Sequence, residues 1–183
     1  MRKKLIKQRL AMEAQAALKL SEWVERHFLG SLCYQRARRI GLYAAFNQEV
    51  DTRLVFDSGL SENKVMCFPR VVGAGEMVFL REDRWSEMTP NQWGILEPAL
   101  GREEIPAHGL DLVVVPGVAF SKDGFRIGYG GGFYDRLLKT LGPETLSVGF
   151  AYAFQVLDDL PHDEHDQHVK RLVTERGFVK ICP

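Results

Sequence analysis

Apolar and polar positions alternate along the chain in stretches that predict helices and strands in turn. Residues 3–28 contain no proline or glycine and repeat their apolar positions at roughly helical spacing, which predicts one long helix. Apolar runs predict strands over residues 40–46 and 64–68, the second of which ends at Pro69. The same reasoning predicts, in chain order, a helix over 52–60, a strand over 76–80 and two short strands around Gly177 within 171–181.

The clearest pattern lies in the second half of the chain. Residues 110–115 form a continuous, mostly β-branched run, as expected for a strand whose two faces are both covered. Residues 133–141 then predict a helix that ends at a Gly-Pro pair, and residues 146–152 predict another strand. Strand, helix and strand at this spacing predict a parallel sheet covered by helices. Residues 86–106 show no strong periodicity and predict a long loop, a feature that is often functional.

Composition and charge narrow the class of protein. The 183 residues are 45% apolar and 26% charged, which predicts a single globular α/β domain over residues 1–183. Lys and Arg number 24, as do Asp and Glu, so the chain lacks the net positive charge of a dedicated nucleic-acid binder. The longest apolar stretch, residues 112–120, is too short to span a bilayer, so we expect no membrane partner. We also expect no nucleic-acid partner and a monomeric protein.

Cysteine usage and the start of the chain bear on location. Cys33, Cys67 and Cys182 are few, odd in number and widely spaced, so they form neither a disulfide framework nor a zinc pattern. Lys7 and Arg9 interrupt any apolar run near the start, which argues against a signal peptide. Both observations predict a cytoplasmic protein.

A cluster of glycines carries the strongest chemical signal. Gly128, Gly130, Gly131 and Gly132 lie within five positions, after a predicted strand and before a predicted helix. Glycines there let backbone N–H groups converge on a phosphate at the positive end of a helix. Arg126 just upstream is placed to add a bidentate contact, and Asp135 just downstream is suited to hold Mg²⁺. The sequence matches neither a Walker loop nor the Rossmann fingerprint, so a ligand-free strand-to-helix turn is the alternative.

Two other charged clusters permit a functional or a structural interpretation. The first turns of the predicted N-terminal helix carry Arg2, Lys3, Lys4, Lys7 and Arg9. Positive charge is unfavourable at a helix N-terminus, so these residues form either a solvated face or a cationic arm for phosphate. Residues 160–168 contain three histidines and three acidic residues, among them Glu164, but lack the ligand spacing of a zinc site. A solvated loop with one acidic contact to Mg²⁺ is the favoured interpretation.

The order of several motifs resembles one enzyme family. Residues 116–136, P-G-V-A-F-S-K-D-G-F-R-I-G-Y-G-G-G-F-Y-D-R, closely match the signature of the 5-formyltetrahydrofolate cyclo-ligases, also called methenyltetrahydrofolate synthetases. The resemblance covers nearly the whole chain and includes E-V-D-T at 49–52, Pro69, W-G-I-L-E-P at 93–98, L-P-x-x-x-x-D at 160–166 and V-T-E at 173–175. It implies a three-layer α/β/α domain with a mostly parallel sheet, in agreement with the pattern above.

The resemblance also implies an activity, which is the ATP- and Mg²⁺-dependent cyclisation of 5-formyltetrahydrofolate to 5,10-methenyltetrahydrofolate with release of ADP and phosphate. It implies ATP contacts at Lys3, Lys7, Arg126, Ile127, Gly128, Tyr129, Gly130, Gly131, Gly132, Phe133 and Tyr134. Arg126, Tyr134 and Asp135 are the implied catalytic residues. The implied contacts to the reduced folate are Glu49, Trp93 and Tyr134, and those to Mg²⁺ are Asp135 and Asp166.

Two departures from the family pattern leave other functions to consider. Lys7 stands where many relatives have arginine, and Gly131 stands where some have lysine. A non-catalytic 5-formyltetrahydrofolate-binding protein is one alternative, although it would not need Asp135 and Asp166. A sugar-phosphate or CoA-type enzyme on a related scaffold is another, since fold alone does not fix function. The loop around Trp93 favours a flat pterin over a small polyol.

Overall fold

Five helices and thirteen strands make up the computed structural model, which describes residues 1–73, 75–163 and 165–181. The helices are α1 (Arg2–Leu10), α2 (Ala14–Leu29), α3 (Leu32–Arg36), α4 (Arg53–Ser61) and α5 (Phe133–Thr140). The strands are β1 (Arg39–Gly41), β2 (Val65–Gly73), β3 (Glu76–Arg81), β4 (Thr89–Pro90), β5 (Leu96–Glu97), β6 (Glu104–Ile105), β7 (Leu112–Val115), β8 (Ala119–Ser121), β9 (Arg126–Ile127), β10 (Leu146–Phe150), β11 (Val156–Leu157), β12 (Arg171–Thr174) and β13 (Gly177–Val179).

A mixed sheet of eight strands forms the centre of the fold, in the order β13-β12-β10-β7-β1-β2-β3-β6. The five strands β12, β10, β7, β1 and β2 are parallel, whereas β13, β3 and β6 pair antiparallel at the two sides. Two smaller sheets, β11-β8-β9 and β4-β5, lie outside it. The prediction of an α/β fold with a mostly parallel sheet is confirmed.

Alternation along β7 shows how the sheet divides two cores. Leu112 and Val114 belong to the core that α2 and α4 cover, whereas Val113 and Val115 belong to the core that α5 covers. Because both faces of β7 are covered, every side chain of the strand is buried, and this explains the uninterrupted apolar run. The arrangement is the three-layer α/β/α fold that the sequence predicts.

The N-terminal prediction of one helix is wrong, because the chain forms two. α1 ends at Leu10, and α2 begins at Ala14 after Glu13 adopts an extended conformation with φ −63° and ψ 136°. The two helices bury different surfaces, since α1 packs through Leu5 and Arg9 whereas α2 packs on the large sheet. The break at residues 11–13 allows each helix to face its own contacts.

Pro69 does not end the second strand, as the sequence pattern suggests, because β2 continues to Gly73. β2 pairs with β1 only through residues 65–67, so Pro69 removes no hydrogen bond from that ladder, and it pairs with Phe79 on the other side. The first strand is shorter than predicted, and the predicted loop over 86–106 contains three short strands. The βαβ unit β7-α5-β10 and the helix α4 are confirmed.

A buried carboxylate that the sequence does not reveal joins α2 to α4. One oxygen of Glu25 accepts hydrogen bonds from the backbone N–H groups of Leu54 (2.8 Å) and Val55 (3.2 Å), in the first turn of α4. A carboxylate there satisfies two of the free donors at the helix N-terminus. Burial is the main cause that raises the pKa of Glu25 to about 8, and the two backbone hydrogen bonds oppose it.

Two strand glycines allow aromatic rings to lie directly on the sheet. A Cβ atom at Gly149 would lie 2.7 Å from Cε1 of Phe120 and 2.9 Å from Cδ1 of Leu172. A Cβ atom at Gly41 would lie 2.7 Å from Cε1 of Phe79. Phe120 and Phe79 are buried in the core on the α5 side, so neither ring has free space to move into.

We expect Gly149→Ala to lower the free energy of unfolding by about 1–3 kcal/mol, because the new methyl group overpacks this core. Gly30→Ala is the matched control, since Gly30 has a right-handed conformation and its Cβ would meet only ordinary contacts at 3.5 Å or more. We expect that control to be neutral or stabilising by up to about 1 kcal/mol. Urea unfolding of both variants measures the difference, and equal stabilities would contradict the packing argument.

Candidate active site

A cavity of about 630 Å³ opens where the chain leaves the parallel strands β1 and β7. The connection after β1 leads through α4, which packs on one face of the sheet, and the connection after β7 leads through α5, which packs on the other. Two neighbouring parallel strands whose connections depart in opposite directions leave a crevice at their carboxyl ends. This topology creates the cavity and places it at the point where α/β folds generally bind ligands.

Nearly all of the candidate site residues from the sequence line this cavity. Its lining includes Glu49, Trp93, Arg126, Ile127, Gly128, Tyr129, Gly130, Gly131, Gly132, Phe133, Tyr134, Asp135 and Asp166. It also includes Arg2, Tyr43, Ala44, Phe46, Pro69, Val71, Met77, Asn91, Ile95, Glu97, Pro116, Gly117 and Pro161. Lys3 and Lys7 are exposed on α1 and are not part of this lining, so their contact with ATP remains a prediction.

The segment over residues 128–132, which we call the glycine turn, leads from β9 into α5. Gly130 and Gly132 have φ values of +104° and +65°, which residues with a side chain rarely adopt. Gly132 is the N-cap of α5, so the turn runs directly into the first backbone N–H groups of that helix. Gly130 and Gly132 are therefore required by the backbone, and the free N–H donors at the start of α5 lie next to the segment that lines the cavity.

Arg126 carries a buried positive charge beside the glycine turn. Its Nη2 donates to Oδ1 of Asp135 at 3.0 Å, and its Cζ lies 5.4 Å from the ring centroid of Tyr134. Burial lowers the pKa of Arg126, and the neighbouring carboxylate of Asp135 opposes that shift. The Nε atom of Arg126 is buried without an acceptor among the described residues. A buried cation with an unused donor is suited to bind an anion.

Asp135 has a partner that the sequence argument did not foresee. The sequence associates Asp135 only with Mg²⁺, whereas the structure pairs its carboxylate with the guanidinium of Arg126. Asp166 lines the same cavity, and its Oδ2 accepts the backbone N–H of Asp163 at 3.0 Å. Proteins commonly hold Mg²⁺ through one or two carboxylates together with nucleotide phosphates, and Asp135 and Asp166 fit this pattern.

Glu49 lies at the end of a short segment, residues 46–49, which we call the Glu49 loop. Its side chain is 7% exposed, accepts the backbone N–H of Phe46 at 3.2 Å and lies 3.8 Å from Nη2 of Arg9. Burial raises the pKa of Glu49 to about 7, while the positive charge of Arg9 and the hydrogen bond from Phe46 lower it. The side chain can therefore change its charge near neutral pH.

Trp93 is held at the cavity by the hairpin that β4 and β5 form. Oδ1 of Asn91 accepts the backbone N–H groups of Trp93 (2.9 Å) and Ile95 (3.1 Å), and Nδ2 of Asn91 donates to the buried Glu97 at 2.8 Å. The indole is 48% exposed, and its ring lies 6.3 Å from that of Phe133 in an edge-to-face arrangement. An ordered turn thus presents a large aromatic surface beside the glycine turn.

Comparison with known proteins gives these features a common identity. The sequence pattern of the 5-formyltetrahydrofolate cyclo-ligase family matches residues 1–175. The chain belongs to the 5-formyltetrahydrofolate cyclo-ligase family. It is 35% identical to the 5-formyltetrahydrofolate cyclo-ligase of Haemophilus influenzae, over 78% of this chain and 79% of the relative. It is 32% identical to that of Mus musculus, over 93% of this chain and 90% of the relative.

Solved structures agree with this assignment to the cyclo-ligase family. The NMR structure of Aquifex aeolicus 5,10-methenyltetrahydrofolate synthetase superposes with a TM-score of 0.87 at 34% identity, over 100% of this chain and 91% of that one. The Mycoplasma pneumoniae synthetase shares the fold, with a TM-score of 0.79 at 22% identity, over 95% of this chain and 96% of that one.

Several residues of this cyclo-ligase cavity escape sequence reasoning. Tyr43 is buried and donates its hydroxyl to the carbonyl of Val50 at 2.6 Å, and Glu97 anchors the Trp93 hairpin. Arg2 and Arg9 stand out in the sequence only as members of a basic helix, yet Arg2 lines the cavity and Arg9 is buried. Their helical positions give no signal of this, since the contacts come from distant segments of the chain.

Two of the three histidines over residues 160–168 contribute to packing. The ring of His162 stacks on Phe125 with centroids 3.8 Å apart, and the ring of His168 lies edge-on to Phe125 at 5.7 Å. Within the described part of the chain, no group of three or more His, Cys, Asp and Glu residues is arranged to hold a metal by itself. Glu164 of this cluster, like Cys182, lies outside the described residues.

No helix within residues 1–73, 75–163 and 165–181 combines the length and the apolar character that crossing a membrane requires.

The raised pKa of Glu49 predicts a specific dependence of stability on pH. Because its folded pKa of about 7 exceeds the ordinary value of 4.5, its protonation stabilises the fold at low pH, and this contribution is lost between pH 4.5 and 7. Relative to wild type, Glu49→Gln should therefore gain about 2 kcal/mol between pH 5 and pH 8. Denaturant unfolding across this range measures the gain.

Glu104→Gln, which changes an exposed carboxylate on β6, is the matched control for charge. A constant stability difference between Glu49→Gln and wild type from pH 5 to pH 8 would contradict a raised pKa at Glu49.

Proposed function

We propose that this protein catalyses the ATP-dependent cyclisation of 5-formyltetrahydrofolate to 5,10-methenyltetrahydrofolate. The observation that carries the proposal is the single cavity in which the glycine turn and Arg126 lie together with Glu49 and Trp93. The first pair suits a phosphate chain, and the second pair suits a flat, polar heterocycle. Membership of the cyclo-ligase family and the names of the relatives support the same reaction.

The reaction requires activation of a poor leaving group. The formyl oxygen on N5 attacks the γ-phosphorus of ATP, and the bond from that phosphorus to the β-phosphate oxygen breaks, which releases ADP and leaves an iminium phosphate. N10 then attacks the formyl carbon and loses its proton to solvent. The carbon–oxygen bond breaks as its electron pair leaves with phosphate, which gives the methenyl bridge. No protein nucleophile takes part, so positioning and charge stabilisation account for catalysis.

At the nucleotide end, we assign the ATP phosphates to the glycine turn and to Arg126, with Lys3 and Lys7 approaching from α1. The buried Nε of Arg126 supplies an unused donor for a phosphoryl oxygen. Asp135 and Asp166 would hold Mg²⁺ at this end of the cavity. When bound, the metal would neutralise charge on the phosphates during transfer.

At the folate end, we assign the pterin to Glu49, Trp93 and Tyr134. A carboxylate accepts hydrogen bonds from the amino and ring N–H groups of a pterin, and the indole of Trp93 offers a face for stacking. The Tyr134 hydroxyl stays protonated, because burial and the charge of Glu49 raise its pKa above the ordinary value of 10.0. Tyr134 also lies beside Arg126, so we place it between the two ends of the cavity.

Two further expectations from the sequence belong to this proposal, a monomeric protein and a cytoplasmic location. Of the other functions considered, a non-catalytic folate binder would bind the substrate without turning it over, whereas a sugar-phosphate or CoA-type enzyme would not bind a pterin. A turnover assay combined with a measurement of folate binding therefore separates all three.

We expect purified protein with ATP, Mg²⁺ and 5-formyltetrahydrofolate to generate the methenyl chromophore in the near ultraviolet, with one ADP formed for each product. Absorbance and a coupled ADP assay measure the two products, and omission of ATP is the control. Binding of the folate without chromophore at any ATP concentration would replace this proposal by the non-catalytic binder.

We expect Asp135→Asn to lower turnover by at least about 100-fold, with partial recovery in excess Mg²⁺, because amide oxygen is a weaker ligand for a hard cation. The variant should also melt at a lower temperature, since Arg126 loses its charged partner. Asp166→Asn should show a milder loss. A Mg²⁺ titration of activity with melting curves measures these effects.

Asp123→Asn, in an exposed turn outside the cavity, is the matched control for the aspartate variants. Wild-type turnover of Asp135→Asn at limiting Mg²⁺ would show that Asp135 serves only to hold Arg126.

A further inference from the structure

Arg9 is a buried cation on a helix that is otherwise almost wholly exposed. The residue is 1% exposed, and Leu5 is the other buried residue of α1. Removing a guanidinium from water is costly unless acceptors replace the lost solvent. The contacts of Arg9 therefore show which parts of the molecule its position depends on.

Those contacts come from three segments that are far apart in the sequence. Nε of Arg9 donates to the carbonyl of Asn47 at 3.0 Å, Nη1 donates to the carbonyl of Gly117 at 3.2 Å, and Nη2 donates to the hydroxyl of Tyr129. The carboxylate of Glu49 lies 3.8 Å from Nη2. The planar fork of arginine suits such divergent contacts, whereas a lysine ammonium cannot make all of them at once.

The Glu49 loop needs these contacts because its backbone is strained. Asn47 and Gln48 have φ values of +51° and +55°, so two successive residues with side chains adopt the left-handed conformation. The side-chain amide of Gln48, with its nitrogen turned toward α1, donates to the carbonyls of Arg9 (2.9 Å) and Met12 (3.2 Å). The loop and the end of α1 therefore hold each other in place.

Each segment that Arg9 contacts lines the proposed active site. Glu49 lies in the part assigned to the pterin, Tyr129 lies in the glycine turn assigned to ATP, and Gly117 lies in the connection between them. The rings of Tyr129 and Phe46 also meet edge to face at 6.4 Å, which adds a direct contact between the Glu49 loop and the glycine turn.

We propose that Arg9 is a positioning residue that couples the two substrate subsites, so that a nucleotide bound at the glycine turn favours the conformation of the Glu49 loop that binds the reduced folate. The inference rests on the proposed function. It assigns to Arg9 no contact with either substrate. Thermodynamic linkage makes the effect reciprocal, so folate must tighten nucleotide binding by the same factor.

A coupling role and a purely structural role predict different results. If Arg9 only anchors α1, replacing it lowers the melting temperature, but in the folded variant the factor by which one ligand tightens the other stays as in wild type. If Arg9 couples the subsites, the factor by which one ligand tightens the other falls, even at temperatures where the variant is fully folded.

The experiment is calorimetric titration of 5-formyltetrahydrofolate with and without a saturating non-hydrolysable ATP analogue and Mg²⁺. In wild type, we expect the analogue to tighten folate binding at least about fivefold. In Arg9→Lys the factor should fall below about two, and KM should rise for both substrates in the turnover assay. Lys4→Met, which removes an exposed charge from the same helix, is the matched control and should keep the wild-type factor.

Tyr129→Phe provides a second test that leaves the arginine side chain itself in place. It removes the hydroxyl that accepts from Arg9 in a partly exposed residue, so it should reduce the factor in the wild-type background and add no further loss to Arg9→Lys. If Arg9→Lys does not fold, Tyr129→Phe alone decides the question.

A wild-type factor near one, or an undiminished factor in folded Arg9→Lys or in Tyr129→Phe, would overturn the coupling while leaving the turnover reaction established. Absence of methenyl product from wild type is a separate result, and it would remove the proposed function together with this inference.

Discussion

The parallel pairing of β1 with β7 is the constraint on which the rest of the molecule depends. It joins two strands whose connections leave toward opposite faces of the sheet, so neither connection can fill the space at their carboxyl ends. The Glu49 and glycine-turn parts of the site follow from that opening. The Glu49 loop follows β1 in the chain, and Pro116, Gly117 and the glycine turn follow β7. Residues far apart in the sequence therefore meet around one cavity.

Features that depend on neighbouring residues could be predicted from the sequence, whereas features that depend on distant partners could not. The β-branched run of β7, the helix α5 and the glycine turn carry their signals within a few positions. Arg9 looks like any other cation of a basic helix, because its acceptors lie 38, 108 and 120 residues away. The break before α2 and the continuation of β2 through Pro69 cannot be predicted from neighbouring residues either. The first depends on packing, and the second depends on the short length of β1, which pairs with β2 only through residues 65–67.

Two ion pairs flank the cavity, and they differ in how firmly they fix the charge beside each subsite. Arg126 and Asp135 are joined directly at 3.0 Å, which keeps a cation in place beside the glycine turn before any phosphate arrives. Arg9 and Glu49 are separated by 3.8 Å, and the carboxylate keeps a pKa of about 7 despite its cationic neighbour. The first pair supplies a fixed electrostatic environment. The second leaves a carboxylate whose charge responds to small changes around it.

The position of Arg9 near the start of the chain also fixes when the cavity can form during synthesis. α1 leaves the ribosome before the segments that accept hydrogen bonds from Arg9, and the last acceptor, Tyr129, is made 120 residues later. Burying the guanidinium of Arg9 before its acceptors are made would be unfavourable, so α1 stays loosely attached until then. Closure of the long loop between them adds entropic cost and places this contact among the late steps of folding. The sheet centre can therefore assemble first, and the contact between α1 and the glycine turn completes the substrate site afterwards.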